Sequence, residues 1–586
     1  MRPTQPPRGT RRGSPQLRLR VGFLVIAMAL SLFGARLVQL QGLDPNSYAA
    51  MAAAEGMVNV ELPAERGDIL DRNGKPLADS VDGLMVVADP AMTAEKAPEL
   101  AKFLYKRLHV DYVSTLAKLR AQDSRFEYIA RRVPATKATE VVAAAGRLGF
   151  EGLDTRRDPV RDYPAGDVGA NLVGFLGTDE PLAGLERTFN GQLSGKDGSS
   201  RYEVGGGNRI PLGENTVTKP VDGQDLKTTI DLDLQWYAQR ALRQAVEDSR
   251  ADSGFAVVMD SRTGELLAIA DDPTYDANDP TASPKADLGS RALQDVYEPG
   301  SVEKVLTISS LMDLGLVTPK TEIVVPPELD REDRPIHDWF AHGTIHLTLA
   351  GVIAKSSNIG TVLAADHFKQ GQLHDYLSQF GLGKTTDIGV RGETQGLLPA
   401  RASWTHQMQD RIAFGQSVSV NGVQMATAVN TIANGGVRVS PSLIEGSATT
   451  DDGQQVGTDH TTRTRVVSED AATKMAHMME RVVDPEAGVA PAAAIPGYRV
   501  AGKTGTAQAV GAACGCYDGT FDVSFAGFAP ADDPRFTVYV VIKNPRNGGG
   551  GGSTAGPVFA KIMSYALSRY GIPPTGTAPS RLPVEW

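Results

Sequence analysis

The chain has 586 residues, too many for one ordinary core, and its length suggests roughly three to four domains, or fewer if one is large. Hydrophobic residues at 41% and charged residues at 22% exclude a wholly disordered chain, and a formal charge of -10 offers no broad basic field for nucleic acid. With only Cys514 and Cys516 present, a disulfide framework is excluded as well.

Charge is distributed unevenly along the chain. The first twenty residues carry six arginines (Arg2, Arg8, Arg11, Arg12, Arg18, Arg20) and no acid. Residues 1–20, rich in Pro, Gly and Arg, are expected to form a disordered tail. Val21 to Ala35 is uncharged, and Leu37 to Leu40 prolong the run if Arg36 snorkels to the headgroups, so a single spanning helix is expected over residues 21–41. Basic flanks stay cytoplasmic, which places the N-terminus inside and everything after about Gly42 outside. A cleaved signal peptide is the alternative. No small-residue cleavage site closely follows the apolar run, and Ala-rich residues 49–54 lie too far downstream.

Glu65 to Leu77 holds Asn73-Gly74 between two short apolar stretches, which predicts a hairpin. A mixed helix and strand region continues to about Lys219 and includes Gly205-Gly206-Gly207 beside Asn208. From Leu226 the texture changes to a short strand and an amphipathic helix over Leu232 to Val246. Phe255 to Asp260 and Glu265 to Ala270 flank a glycine turn and read as an antiparallel hairpin. Phe536 to Ile542 is a further strand, so strands bracket a mainly helical middle, as an antiparallel sheet with helices on its faces requires. Gly548 to Gly552 is expected to break the chain before a C-terminal helix around Val558 to Leu567, and Pro573 to Trp586 to form a loose tail.

Three short runs carry chemistry. Pro299-Gly300 signals a helix start, and Val305, Ile308, Leu311 and Met312 supply its apolar face. Ser301 would sit at the positive helix end with Lys304 one turn away on the same face, and a desolvated amine flanked by other cations can take the serine proton. Ser356-Ser357-Asn358 follows a helix over Leu347 to Ala354 and offers a hydroxyl relay and an amide. A second Ser-x-Asn, Ser419 to Asn421, precedes an Ala/Thr-rich helix, where Ser and Asn serve better as turn and cap residues. Lys503-Thr504-Gly505-Thr506 reads as strand, with Lys503 and Gly505 on one face and a main-chain N–H near Thr506 able to join that of Ser301 in an oxyanion hole.

The same segment, Gly497 to Thr504, also fits the phosphate-loop pattern GxxxxGK[ST] in full. That rival needs a buried strand before it and a helix starting at Lys503, whereas Ala-Ala-Ala-Ile-Pro precedes it and Gly505 interrupts the first turn. The Cys514-Gly515-Cys516 pair could form a strained ring or stay reduced; the run reads as a loop with two incidental thiols, although two ligands so close could recruit a metal.

With these motifs placed, the chain resembles the class B penicillin-binding proteins, the peptidoglycan D,D-transpeptidases. Tyr297-Glu298-Pro299-Gly300-Ser301, Lys355-Ser356-Ser357-Asn358 and Ala501 to Gln508 look like the family's three motifs. Arg66-Gly67-Asp68-Ile69, Asp71-Arg72-Asn73-Gly74 and Gly184-Leu185-Glu186 resemble those of its non-catalytic pedestal, and Ile432 to Gly436 is another family run. The resemblance implies an α+β protein: a tail over 1–20, an anchor over 21–41, a pedestal of dimerisation type over 43–220, a transpeptidase domain over 221–572 with a serine β-lactamase-like sheet flanked by helices, and a tail over 573–586.

It also implies roles: Ser301 as nucleophile on the penultimate D-alanine of a stem peptide, Lys304 as base and Ser356 as proton relay. Asn358, Lys503, Thr504 and Gly505 would bind the substrate, and the N–H groups of Ser301 and Thr506 would form the oxyanion hole. β-Lactams would acylate the same serine. No cofactor and no metal is implied. The implied partners are a multi-spanning glycosyltransferase of the FtsW type and other division proteins, since no glycosyltransferase domain fits between anchor and pedestal. The pattern is closer to the FtsI-like division enzymes than to the elongation type. A D,D-carboxypeptidase or β-lactamase is the alternative within this chemistry, although no Glu-x-x-Leu-Asn run of the kind that positions a deacylating water is present. A membrane-bound β-lactam sensor would want further spans or a cytoplasmic signalling domain.

Glu303 stands inside the first motif. If it reached Lys304 it would raise that amine's pKa and hinder it as a base.

Overall fold

The computed structural model describes residues 15–39, 57–122, 124–177, 180–205, 208–209, 215–332, 334–511 and 515–586. It divides into two compact units, Met1–Ala64 with Lys196–Val221, and Glu65–Gly195 with Asp222–Trp586.

In the first unit a helix runs Pro15–Val38, so residues 15–20, expected in the tail, are already helical. Residues 1–14 lie outside the described residues. Twenty-four residues rise about 36 Å, enough to cross a hydrocarbon core of about 30 Å. Every residue described on this helix is exposed, which is unfavourable in water for Leu, Phe and Val but not in lipid. Strand Gly198–Gly205 pairs antiparallel with Met57–Leu62 and with Asn215–Thr218. Gly206 and Gly207 of the glycine run are outside the described residues.

The second unit begins with the expected hairpin, Ile69–Leu70 against Pro76–Val81. Asp71 Oδ1 closes its turn by accepting the N–H groups of Asn73 and Lys75 at 2.7 and 2.8 Å. Asp71 Oδ2 accepts the Leu232 N–H at 3.2 Å and Arg72 N–H donates to Ile230 O, so the turn is tied to the start of helix Leu232–Ser249. Arg66 and Glu186, from two separate motifs, meet in a buried ion pair at 2.6 Å, and Arg161 joins the same carboxylate at 2.7 Å. Strands Glu127–Pro134, Gly83–Ala88 and Leu153–Arg157 form a small antiparallel sheet. Helices Ala97–Leu108 and Ala135–Arg147 bury Leu100, Leu104 and Val141 in a core of its own.

The large sheet is antiparallel, in the order Leu266–Asp272, Ser253–Asp260, Phe536–Lys543, Cys516–Ala529, Ala501–Gly511. Its strands come from the two ends of the domain, with helices from the middle, as the sequence predicts. Helix Leu232–Ser249 and the C-terminal helix pack on one face and helix Gly422–Ala433 on the other. The alternation shows at Gly254, which faces Leu242 and Val246, and at Phe255, which faces Gly422. Cover on both faces explains the unbroken apolar run of Phe536 to Ile542.

Strand Cys516–Ala529 has no counterpart in the sequence reading, where Gly519, Asp522 and Gly527 interrupt the strand pattern. Cys516 is disulfide-bonded, which corrects the expectation of incidental thiols; Cys514 lies outside the described residues.

Two C-terminal expectations also change. The last helix is Gly551–Arg569, beginning inside the glycine run, because a side chain at Gly551 would strike Ser524 O at 2.2 Å and Gly505 O at 2.6 Å. Residues 573–586 are docked and not loose: Thr348 N–H donates to Val584 O at 3.1 Å, and Leu347 pairs with Glu585.

Removing one partner of a buried ion pair leaves the others uncompensated, so Glu186→Gln is expected to destabilise the second unit by about 3 kcal/mol. A chemical-denaturation midpoint measured on the purified protein checks this.

Candidate active site

Ser301 lies in a 3-10 turn, Gly300–Glu303, that leads into helix Lys304–Asp313. In a 3-10 turn the side chains at i and i+3 eclipse, so Ser301 and Lys304 share a face although the α-helix starts only at Lys304. Val305, Ile308, Leu311 and Met312 are all buried, as predicted. Gly300, at φ 55°, donates its N–H to Gly415 O at 3.0 Å, and a side chain on Gly415 would overlap Gly300 O at 2.0 Å. That close approach fixes the half-buried Ser301.

Two further elements converge on Lys304. Helix Leu349–Lys355 ends on Ser356, which takes φ 60°, the left-handed conformation that terminates a helix. Lys304 Nζ donates to Ser356 O at 2.8 Å and Asn358 Oδ1 at 2.7 Å, with Ser356 Oγ at 3.4 Å. From the edge strand Ala501–Gly511, Lys503 Nζ donates to the same Ser356 Oγ at 2.8 Å and to Thr504 O at 3.0 Å. Both lysines are fully buried. Burial lowers the Lys304 amine to about 7, partly opposed by the Asp338 carboxylate. Burial and then the Lys304 cation hold the Lys503 amine well below its ordinary value. Ser356 Oγ is thus, among the described residues, the one hydroxyl that both amines reach.

At Gly505 the space a side chain would take is filled by protein. A side chain there would meet Ser524 Oγ at 2.2 Å, and Pro299 O and Val302 at 3.1 Å, so the glycine admits the nucleophile turn itself against the edge strand. The same contact brings Gly300 beside Thr506, whose carbonyl lies 3.1 Å from the Cβ position of Gly300. The Ser301 and Thr506 main chains are therefore neighbours. Asn358 Nδ2 donates to His337 O at 2.9 Å.

Glu303 is fully buried, and neither carboxyl oxygen has a hydrogen-bond partner among the described residues. Burial pushes its carboxyl well above the usual range, so it is held neutral. The Lys304 ammonium makes its bonds to Ser356 and Asn358, so the acid does not hinder it.

The decoy behaves as a cap. Asn421 accepts the Gln424 N–H at 2.8 Å in a capping box at the start of helix Gly422–Ala433, and Ser419 pairs with Leu397. The phosphate-loop rival fails as its sequence context predicts: Lys503 sits inside strand Ala501–Gly511 and not at the start of a helix where a phosphate could be held.

Asp338 was not singled out from sequence. Its buried carboxylate accepts Ser357 Oγ at 2.7 Å, Ile359 N–H at 3.0 Å and a contact from His342 Nε2 at 3.1 Å. It braces the Ser356 to Asn358 turn and supplies the charge that acts on Lys304. An acid eighteen residues before Ser356 in an irregular loop carries no periodic or motif signal.

The match to known proteins covers both units. The penicillin binding protein transpeptidase domain matches residues 254–564 and the penicillin-binding protein dimerisation domain residues 61–181. Penicillin-binding protein PbpB of Mycolicibacterium smegmatis is 34% identical over 603 aligned residues, 96% of this chain and 92% of that protein. Peptidoglycan D,D-transpeptidase FtsI of Escherichia coli is 32% identical, with 94% and 91% covered. Among solved structures, penicillin binding protein 3 of Mycobacterium tuberculosis in complex with aztreonam is similar at a TM-score of 0.69 and 30% identity, covering 90% of this chain and 100% of that one.

With Lys304 held at about 7, the neutral amine predominates above that pH. The rate at which a penicillin acylates the protein is expected to rise with pH through about 7. Asp338→Asn removes the charge that raises this amine's pKa, so the acid limb should move to lower pH. Stopped-flow acylation across a pH series checks both.

Proposed function

This chain belongs to the class B penicillin-binding proteins and is a serine-type peptidoglycan D,D-transpeptidase, and from that premise we propose how its residues divide the reaction. Ser301 Oγ gives its proton to neutral Lys304 Nζ and attacks the carbonyl carbon of the penultimate D-alanine. The N–H groups of Ser301 and Thr506 receive the oxyanion; the adjacency of Gly300 and Thr506 supports this pairing. As the tetrahedral intermediate collapses, the terminal D-alanine leaves with a proton passed from Lys304 through Ser356 Oγ. An amine of a neighbouring stem then attacks the acyl-enzyme carbonyl and loses its proton to the same relay; the ester bond to Ser301 breaks, Ser301 Oγ takes the proton back, and the cross-link is formed.

The observation that carries this reading is the single Ser356 hydroxyl within hydrogen-bond reach of two buried amines. Lys503 and Thr504 would hold the terminal carboxylate, whose negative charge favours the ammonium form of Lys503. Asn358, with Nδ2 donating to a backbone carbonyl in the free protein, would use its remaining amide hydrogen on the donor peptide. Gly505 would contribute by admitting the nucleophile turn. β-Lactams would acylate Ser301.

The helix Pro15–Val38 is long and apolar enough to cross a membrane. We place the N-terminus in the cytoplasm, from its basic flank, and the catalytic domain outside. We assign the pedestal to residues 43–220 and the transpeptidase domain to 221–572. Similarity to FtsI and PbpB supports a role in septal wall synthesis, and we assign an FtsW-type glycosyltransferase as the partner that supplies the glycan strand.

Fluorescent penicillin is expected to label the wild type as a stable adduct and Ser301→Ala not at all. Loss of the nucleophile should lower cross-linking at least about 10³-fold. Rapid release of label would point to a hydrolase, and equal labelling of the variant would refute the nucleophile.

A further inference from the structure

One cavity beside the catalytic cleft has no part in the chemistry above. It encloses about 640 Å³, within the size range of small-molecule sites, and is lined by Trp339, Phe340, Thr344, His346, Lys355 and Trp586 among others. Trp339 and Trp586 are 65% and 50% exposed, unusual for indoles with no established partner.

The cavity is a built feature. Thr348 Oγ1 donates to Pro583 O at 2.5 Å, and the Trp586 N–H donates to His346 O at 3.3 Å, with the Trp586 and His346 rings edge to face at 4.7 Å. Docking of the C-terminal segment therefore makes the last residue of the chain one wall. The other wall is continuous with the active site: the Trp339 indole N–H donates to Lys355 O at 2.9 Å, one residue before Ser356, and Trp339 follows Asp338.

We propose that this cavity is a saccharide subsite that holds an N-acetylated hexosamine ring of the glycan strand bearing the stem peptide. The proposal rests on the transpeptidase reading above. A peptide stem with small aliphatic D-alanine ends has no flat apolar face to match two indoles, whereas a pyranose ring presents such a face of C–H groups. Its hydroxyl and acetamide groups match the hydrogen-bonding heads of Thr344, His346, Lys355 and Glu585 around the rim. A short peptide separates the sugar from the bond that is cut, so a sugar-binding cavity must lie near the cleft. Continuity through Lys355 and Ser356 meets that requirement.

Tri-N-acetylglucosamine titrated into the full chain, followed by tryptophan fluorescence, is expected to show saturable binding. Trp586→Ala and Trp339→Ala should each weaken it about threefold to tenfold, the scale of one aromatic contact. Trp586→Ala is the cleaner variant, because Trp339 also anchors the Lys355 carbonyl. In Trp586→Ala, kcat/KM for a glycan-linked donor should fall by the same factor, while acylation by penicillin and by a free D-Ala-D-Ala stem peptide stays unchanged. Absence of saturable binding, binding indifferent to both substitutions, or an equal fall for the free peptide would overturn the subsite. Cross-linking that survives Ser301→Ala would instead refute the catalytic assignment and leave measured sugar binding in place.

Discussion

Lys304 and Lys503 arrive on different elements and end on the hydroxyl of Ser356, and both are closed off from water. Taking an ammonium group out of water costs several kcal/mol even after relaxation, and two side by side repel each other. The protein answers by supplying oxygen acceptors and by lowering the proton affinity of both amines. The acceptors are Ser356 O, Asn358 Oδ1 and Thr504 O, and the single nearby carboxylate acting on Lys304 is that of Asp338. Burial, against the pull of Asp338, brings a lysine that would be fully protonated in water to about 7, where it can act as a base.

That arrangement demands close packing of separate elements. The nucleophile turn has to lie against the edge strand of the sheet, which Gly505 permits, and Gly300 has to meet Gly415. Ser356 has to end its helix in the left-handed conformation so that its carbonyl and hydroxyl both serve the lysines. Asp338 then locks the turn by taking the Ser357 hydroxyl and the Ile359 N–H. Away from the cleft the same economy recurs in the pedestal. Glu186 neutralises Arg66 and Arg161 in a buried cluster, and Asp71 closes a turn while holding the start of helix Leu232–Ser249.

Much of this was legible because the chemistry uses rare local patterns. Ser301 and Lys304 are three residues apart, Ser356 to Asn358 follow a helix, and Lys503 stands in a strand, each visible within a few residues of sequence. Ser419 to Asn421 could be set aside because a following Ala/Thr-rich stretch marks a cap, and the capping box of Asn421 and Gln424 has that origin. Asp338 was invisible, since its partners are brought to it only by folding. The start of the last helix was misjudged because glycine lowers helix propensity. Contact with Ser524 and Gly505 overrides that preference by excluding any larger residue at Gly551. The C-terminal segment looked loose by its proline content, but its backbone finds partners at Thr348 and His346.

By itself the sequence determined the class of reaction and the apolar N-terminal helix, and it named the residues that meet around Ser356, because these rest on residue type and short spacing; the order of the domains came through the family resemblance. Tertiary structure alone decided that two lysines would share one hydroxyl, that Asp338 would brace their turn, that Gly505 would admit the nucleophile turn against the edge strand, and that Trp586 would wall a cavity beside the cleft. These depend on desolvation and on contacts between residues distant along the chain, quantities that exist only once the elements have packed.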